Sequence, residues 1–319
     1  MVEVSTPDGP RRAVDGLTFA LGRGEALGLV GESGSGKSMT LRAVMGLLPP
    51  GARAVSGRIV FQGRELTGLD RRRMNALRGN GLAMVFQEPM SALNPVVRVG
   101  TQIVDAAARQ QGWSRRERRA HAVELMARMG IPDPERRANA YPHELSGGLR
   151  QRVMIAAALA GGPALLLCDE PTTALDVTIQ DQILTLLADL RQRLGMGLLY
   201  VTHDLAVVAQ LCDRVEVMYA GQLVESGGVR SVFDTPAHPY SSGLLRATPS
   251  IDRDRTRLTG IPGTTPGLGE QRAGCRFAPR CEFAEDACRS GRIGWRLVAT
   301  QHRSRCLRPE VCRRPEVHQ

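Results

Sequence analysis

Lysine occurs once in this chain of 319 residues, at position 37, although the basic residues number 42; the other 41 (42 − 1) are arginines. Lys37 lies in GESGSGKS, residues 31–38, which fits the phosphate-loop pattern G-x-x-x-x-G-K-[ST] through Gly31, Gly36, Lys37 and Ser38. A compact ammonium on a flexible stem can reach between the β- and γ-phosphates of a nucleotide, where a planar guanidinium is larger and prefers forked partners. The surrounding ALGLVGESGSGKSMTLRAVMGLL reads as strand, glycine-rich loop and helix. Ala26 to Val30 suits a buried parallel strand, and Ser38 to Leu48 carries helical spacing that stops at Pro49-Pro50-Gly51. In such a loop the backbone N–H groups form an anion nest, and the following helix aims its positive end at it. Gly31, Ser33, Gly34, Gly36, Lys37, Ser38 and Met39 are therefore expected to wrap the phosphates of ATP, with Ser38 on Mg²⁺.

The rest of the chain alternates strand and helix signals, which predicts an α/β fold with a mainly parallel sheet. Short strands are expected at 58–62 and 81–86, then at 164–170, 197–204 and 215–227, with a helix from Val177 to Leu194. VGTQIVDAAARQQG and RRAHAVELMARMGI read as amphipathic helices of an inserted helical subdomain, about 92–155. After Pro236, Pro, Gly and Arg become frequent and periodicity fades, so a boundary is expected there: a 1–235 nucleotide-binding domain and a 236–319 extension. No internal repeat is evident, which indicates one cassette per chain.

LLLCDEP, 165–171, places two acids at the end of an apolar strand. Asp169 is positioned to hold Mg²⁺ through water, and Glu170 to polarise an attacking water. LSGGLRQR, 145–152, resembles the signature motif of ABC ATPases, with Leu149 in place of the usual Gln or Met. The resemblance implies that Ser146, Gly147 and Gly148, at a helix start, bind the γ-phosphate held by an opposite cassette, so that two cassettes form the working unit. It also implies roles for Gln87 in VFQEP as a sensor of Mg²⁺ and lytic water, for Ala174-Leu175-Asp176 as the D-loop, and for His203 in VTHD as the switch histidine that orients Glu170. The aromatic residue that usually stacks on adenine is replaced by Val4, and the strand that usually precedes it is nearly absent. This suggests a start codon placed too far downstream, or adenine packed on aliphatic groups or on Arg11 or Arg12.

The formal charge is +10, and the last 69 residues carry 14 arginines against 8 acids. Such a balance admits nucleic acid, anionic lipid or a plain solvated surface. Aromatics at 4% argue against a stacking platform for single strands. The opening MVEVSTPDGP has no signal-peptide core, and no stretch reads as a membrane span. Five of seven cysteines, Cys275, Cys281, Cys288, Cys306 and Cys312, fall in the last 45 residues, which in a cytosolic protein suggests metal before disulfide.

QEPMSALNP (87–95), HPYSSGLL (238–245) and the tail segments LTGIPGTTPGL, GCRFAPRCEFAEDAC and RSRC are similar to the ATPase subunits of oligopeptide and dipeptide ABC importers. The wording of RQRVMIA and TTALDVTIQ looks like the first of the two ATPase partners in such importers. That resemblance implies a peripheral subunit on the cytoplasmic face of the bacterial inner membrane. Its implied partners are a second, paralogous ATPase subunit, two transmembrane permease subunits and an extracytoplasmic solute-binding protein, with no direct nucleic acid. In some members of the subfamily four tail cysteines hold an iron–sulfur cluster; Cys275, Cys281, Cys288 and Cys306 match them here. Four thiolates suit [4Fe–4S] or zinc, but spacings of five, six and seventeen residues fit neither a ferredoxin run nor a zinc ribbon, so cluster, zinc and unligated thiols all stay open. Nickel or another solute in place of peptide, a soluble ABC ATPase acting on nucleic acid, and a module that holds ATP without turnover are the alternatives.

Overall fold

Val2–Thr6 (β1) and Gly9–Val14 (β2) form an antiparallel hairpin in register Val2↔Val14 to Thr6↔Gly9, and Ala52–Ala54 (β4) pairs along the other edge of β1. Only Val2 and Glu3 of this hairpin precede Val4. Pro10, Arg11 and Arg12 obscure its period of two, yet the turn is pinned by the Thr6 hydroxyl donating to Gly9 O at 2.7 Å. The structure, a computed structural model, describes residues 1–87, 92–173, 175–248, 260–268 and 273–312, with the backbone alone at 110. The chain divides into two units, one of Met1–Ala20, Ala26–Ile59 and Val201–Gln319, the other of Leu21–Glu25 and Val60–Tyr200.

In the first unit, Ala26–Val30 (β3) is buried at every residue and feeds the glycine loop and the helix Lys37–Val44 (α1). The helix is shorter than its apolar spacing predicts, because Gly46 turns left-handed (φ 61°) before the prolines are reached.

The second unit holds the small hairpin Val60–Phe61 (β5) and Arg64–Glu65 (β6), then Arg71–Leu77 (α2) and Leu82–Val85 (β7). Val99–Gln111 (α3), Arg115–Arg128 (α4) and Gly147–Leu159 (α5) pack on one another, and α5 also packs on β7. These helices lie between 92 and 155, in the same unit as strands β5 to β7. Leu165–Asp169 (β8) lies parallel to β7, and the helix Val177–Leu194 (α6) leads into Gly197–Thr202 (β9). The α6 bounds coincide with the predicted ones because both ends are chemically marked: Asp176 accepts from Ile179 N–H at 2.9 Å, and Gly195 closes it at φ 60°.

Back in the first unit come Leu205–Leu211 (α7), Arg214–Tyr219 (β10), Gln222–Gly228 (β11), Val229–Asp234 (α8) and Pro239–Ala247 (α9). β10 is parallel to β3, and β11 returns antiparallel to it. The last strands, Arg296–Ala299 (β12) and His302–Ser304 (β13), extend this sheet in the order β12-β13-β11-β10-β3. Phe277 is buried in one core with Val30, Val215, Tyr219 and Tyr240. Described residues after 236 thus contribute strands and core side chains to the first unit. A fully buried pair fastens them: His302 Nε2 lies 2.7 Å from Glu225 Oε1, which also accepts from Ala237 N–H at 2.7 Å.

Candidate active site

The phosphate loop is shaped by what its glycines leave out. A Cβ at Gly31 would overlap Met218 O, and one at Gly36 would come within 2.6 Å of Ala13 O. Gly36 also holds φ 104° as the N-cap of α1 and supplies no side-chain cap, so the first turn of the helix is left for other acceptors. Ser35 is fully buried, and its hydroxyl has no hydrogen-bond partner among the described residues. Lys37 is 5% exposed, and its Nζ donates to Gly31 O at 2.7 Å and Glu32 O at 2.9 Å, folded onto its own loop. Ser33 and Gly34 are exposed at the tip, with Ser38 and Met39 half-buried at the helix start. A tight backbone cradle, an orphaned hydroxyl and a buried ammonium fit a polyphosphate. Val4 and Arg11, both considered for adenine, are cross-strand partners in β1 and β2, while Arg12 pairs with Glu3. Arg12 and Gly34 line a cavity together with Pro266, Leu268 and Arg276.

His203 belongs to the same unit, exposed between β9 and α7, while Asp204 behind it caps α7 by accepting from Ala206 N–H at 2.8 Å. The other expected residues belong to the second unit. Asp169 is buried at the end of β8. Glu170 follows with φ 46°, a left-handed backbone that costs a non-glycine residue of order 1–3 kcal/mol and is kept at functional sites. The Thr173 hydroxyl donates to Glu170 Oε2 at 3.1 Å. Ser146 and Gly147 are exposed at the N-terminus of α5, where the Ser146 hydroxyl accepts from Leu149 N–H at 3.4 Å. Gly148 faces α6; a Cβ there would lie 2.8 Å from Ile179. Asp176 is itself the cap of α6, a local role that the D-loop assignment did not include. Gln87 is exposed just after β7. Ala174 and residues 88–91 of QEPMSALNP lie outside the described residues.

Three residues that matter to the loop went unassigned in the sequence reading. The Glu32 carboxylate takes a fork from Arg280, and its N–H donates to the Tyr240 hydroxyl. They are 208 and 248 residues apart from Glu32 in the chain, so no local signal joins them. The HPY motif gains a physical meaning here: Pro239 starts α9, buried His238 accepts from Tyr240 N–H at 3.1 Å, and Tyr240 reaches the phosphate loop. Burial pushes the His238 imidazole down to about 3, so it is neutral.

Cys275, Cys281, Cys288 and Cys306 line one cavity with His238, Arg305, Arg308 and apolar side chains. Burial pushes the Cys275 thiol up to about 11 and Cys306 up to about 12, with the neighbouring thiols adding to both. Among the described residues no group of three or more His, Cys, Asp or Glu is placed to hold a single metal ion. Likewise, no helix among the described residues is long and apolar enough to cross a membrane.

The ABC transporter family matches residues 14–173, and the C-terminal region of the oligopeptide/dipeptide transporter family matches residues 224–288. The chain is 46% identical over 300 residues to the dipeptide transport ATP-binding protein DppD of Escherichia coli, across 94% of this chain and 92% of that protein. It is 50% identical over 311 residues to a putative peptide import ATP-binding protein of Brucella melitensis, across 93% and 91%. A dimeric ATP-binding cassette in a post-hydrolysis state, bound to ADP and Pi, superposes with a TM-score of 0.63 at 28% identity, over 72% of this chain and 99% of that one. The cbiO1 protein of Clostridium perfringens, part of the ABC transporter complex cbiONQ, gives 0.61 at 30% identity, over 73% and 90%. This chain therefore belongs to the ABC transporter family, as an ATP-binding and ATP-hydrolysing cassette. Within that family, its C-terminal region is of the oligopeptide/dipeptide transporter type.

Proposed function

We propose that this cassette powers the import of peptides, seated as a peripheral subunit on the cytoplasmic face of a bacterial membrane. The observation that carries this reading is the joining of an intact phosphate loop, Gly31 to Ser38, with an HPY-bearing extension that shares its core. Its partners are a second, paralogous ATPase subunit whose signature motif completes the site, two permease subunits and an external binding protein. Lys37 and the α1 N-terminus hold the phosphates, and Ser146, Gly147 and Gly148 serve the partner's nucleotide. Ser38, Asp169 and Gln87 would hold Mg²⁺, which when bound neutralises phosphate charge. Glu170 takes the proton of the attacking water, and His203 orients it. In cells that require an exogenous dipeptide, deleting this chain should abolish uptake of labelled dipeptide. The wild-type gene should restore it, and uptake of nickel or sugar lost in its place would refute the peptide assignment.

The tail cysteines belong to the same proposal. Cys275, Cys281, Cys288 and Cys306 offer four soft donors around one cavity, and Cys275 N–H bonds Cys288 O at 2.8 Å, drawing two of them together. This donor set suits a [4Fe–4S] cluster, which takes one thiolate per iron. Anaerobically purified protein should carry near-stoichiometric iron and sulfide that is lost in Cys281→Ser; colourless, iron-free protein would remove the cluster from the account.

A further inference from the structure

We propose that Arg280, Thr265 and Tyr240 of the C-terminal extension clamp Glu32 and thereby set the phosphate loop for nucleotide, which makes Arg280 a positioning residue for ATP binding. Glu32 is the second residue of the loop, between Gly31 and Ser33. Each of its polar groups is engaged. Arg280 donates from Nη1 to Oε2 at 2.6 Å and from Nη2 to Oε1 at 3.0 Å, and Thr265 Oγ1 donates to Oε2 at 2.9 Å. The Glu32 N–H donates to Tyr240 Oη at 2.7 Å, and its carbonyl accepts from Lys37 Nζ at 2.9 Å. One residue thus links three groups of the extension to the lysine that must meet the phosphates.

Arg280 is built in rather than draped over the surface. Its side chain is 6% exposed, its Nε donates to Pro262 O at 2.8 Å, and Nη2 also reaches Ile261 O at 3.3 Å. The guanidinium lies 5.8 Å from the Tyr219 ring centroid, and Tyr219 is on β10, the neighbour of β3 that delivers the loop. Exposed ion pairs contribute little, but a forked, buried one fixes geometry. Lysine, a point charge with three donors, cannot reproduce this fork.

Two physical reasons make the clamp bear on nucleotide rather than only on folding. A carboxylate beside a polyphosphate nest repels the ligand, and Arg280 offsets that charge. The Glu32 carbonyl also accepts from Lys37 Nζ, so its position bears on where the ammonium waits. The same segment acts at a second point. Arg276 pairs with Asp15 and donates to Ala220 O, and the next residue, Gly221, donates its N–H to Ser35 O at 2.8 Å. Burial pushes the Glu32 carboxyl up, but the Arg280 and Thr265 hydrogen bonds and the charges of Arg280 and Lys37 outweigh it and hold it below the usual range. The clamp is therefore closed at neutral pH and is lost only as pH falls through that depressed value.

The inference rests on the ATP-binding reading of the loop, and titration calorimetry of the full chain with MgATP separates the two. Arg280→Lys should weaken binding roughly 5- to 150-fold, the usual span of coupling between sites, and Arg280→Met more. In a Glu32→Gln background the Arg280→Lys effect should largely vanish, which a general loss of stability would not do. Should the Arg280 variants fail to fold, Tyr240→Phe keeps the buried ring, removes only the acceptor for Glu32 N–H, and should weaken binding in the same direction. Folded variants that bind MgATP within about twofold of wild type, or an Arg280→Lys effect undiminished in the Glu32→Gln background, would overturn the clamp. Lys37→Ala is the control: unimpaired binding there would instead remove the loop from the site.

Discussion

Glu170→Gln is expected to cut ATP turnover by about 10²- to 10⁴-fold, the usual contribution of a general base, while MgATP still binds with wild-type affinity. The amide keeps the size of the carboxylate and can still accept from the Thr173 hydroxyl, so the local structure should persist. What it loses is the capacity to take a proton from water. The left-handed backbone at Glu170 supports this assignment, because the fold keeps a non-glycine residue at φ 46° immediately after the buried Asp169, where a relaxed turn would be less costly. Phosphate release and equilibrium binding, measured on one preparation, check both halves. Joint loss of binding and turnover would make Glu170 a structural residue and leave the reaction without a base.

The second large effect is expected at Lys37. In Lys37→Ala the ammonium that now bridges Gly31 O and Glu32 O is gone, and with it the only lysine in the chain. A hydrogen bond to a charged group is worth ~1.5–3 kcal/mol, so two such bonds to phosphate oxygens correspond to a loss of ATP affinity of about 10²-fold or more. Peptide uptake should fail with it, since an arginine brings a larger, forked head in place of a compact ammonium. Retained uptake in cells carrying Lys37→Ala would contradict this.

The parts of the site that were legible in the sequence are those whose chemistry is local. A buried run followed by spaced glycines, a lysine and a helix can be recognised within fourteen residues, 26 to 39, and Asp169 and Glu170 are marked by the apolar strand they end. Capping residues made α6 legible to its ends. Length worked against the rest. β12 and β13 have four and three residues, too few to show a period in a segment crowded with arginine, so strand signals stop at β11. The N-terminal hairpin was hidden for a related reason, since only Val2, Val4, Ala13 and Val14 carry its apolar pattern. The clamp on Glu32 has no sequence signature, because its members meet only after the tail has joined the core through Phe277 and the Glu225–His302 pair. Asp176 shows the converse: a residue assigned to the D-loop is also the cap on its own helix, and local structure alone would explain its presence.

The measurement that bears most directly on the central claim is the melting temperature of the full chain with and without saturating MgATP, for wild type and Lys37→Ala side by side. A ligand at about 100 times its Kd stabilises the folded state by ~2.7 kcal/mol. For a protein of this size that corresponds to a rise of about 4 °C. The account expects this rise in wild type and its near absence in Lys37→Ala, each read against the same protein without nucleotide. An equal rise in both would contradict it, because ATP would then be held somewhere other than the Gly31–Ser38 loop.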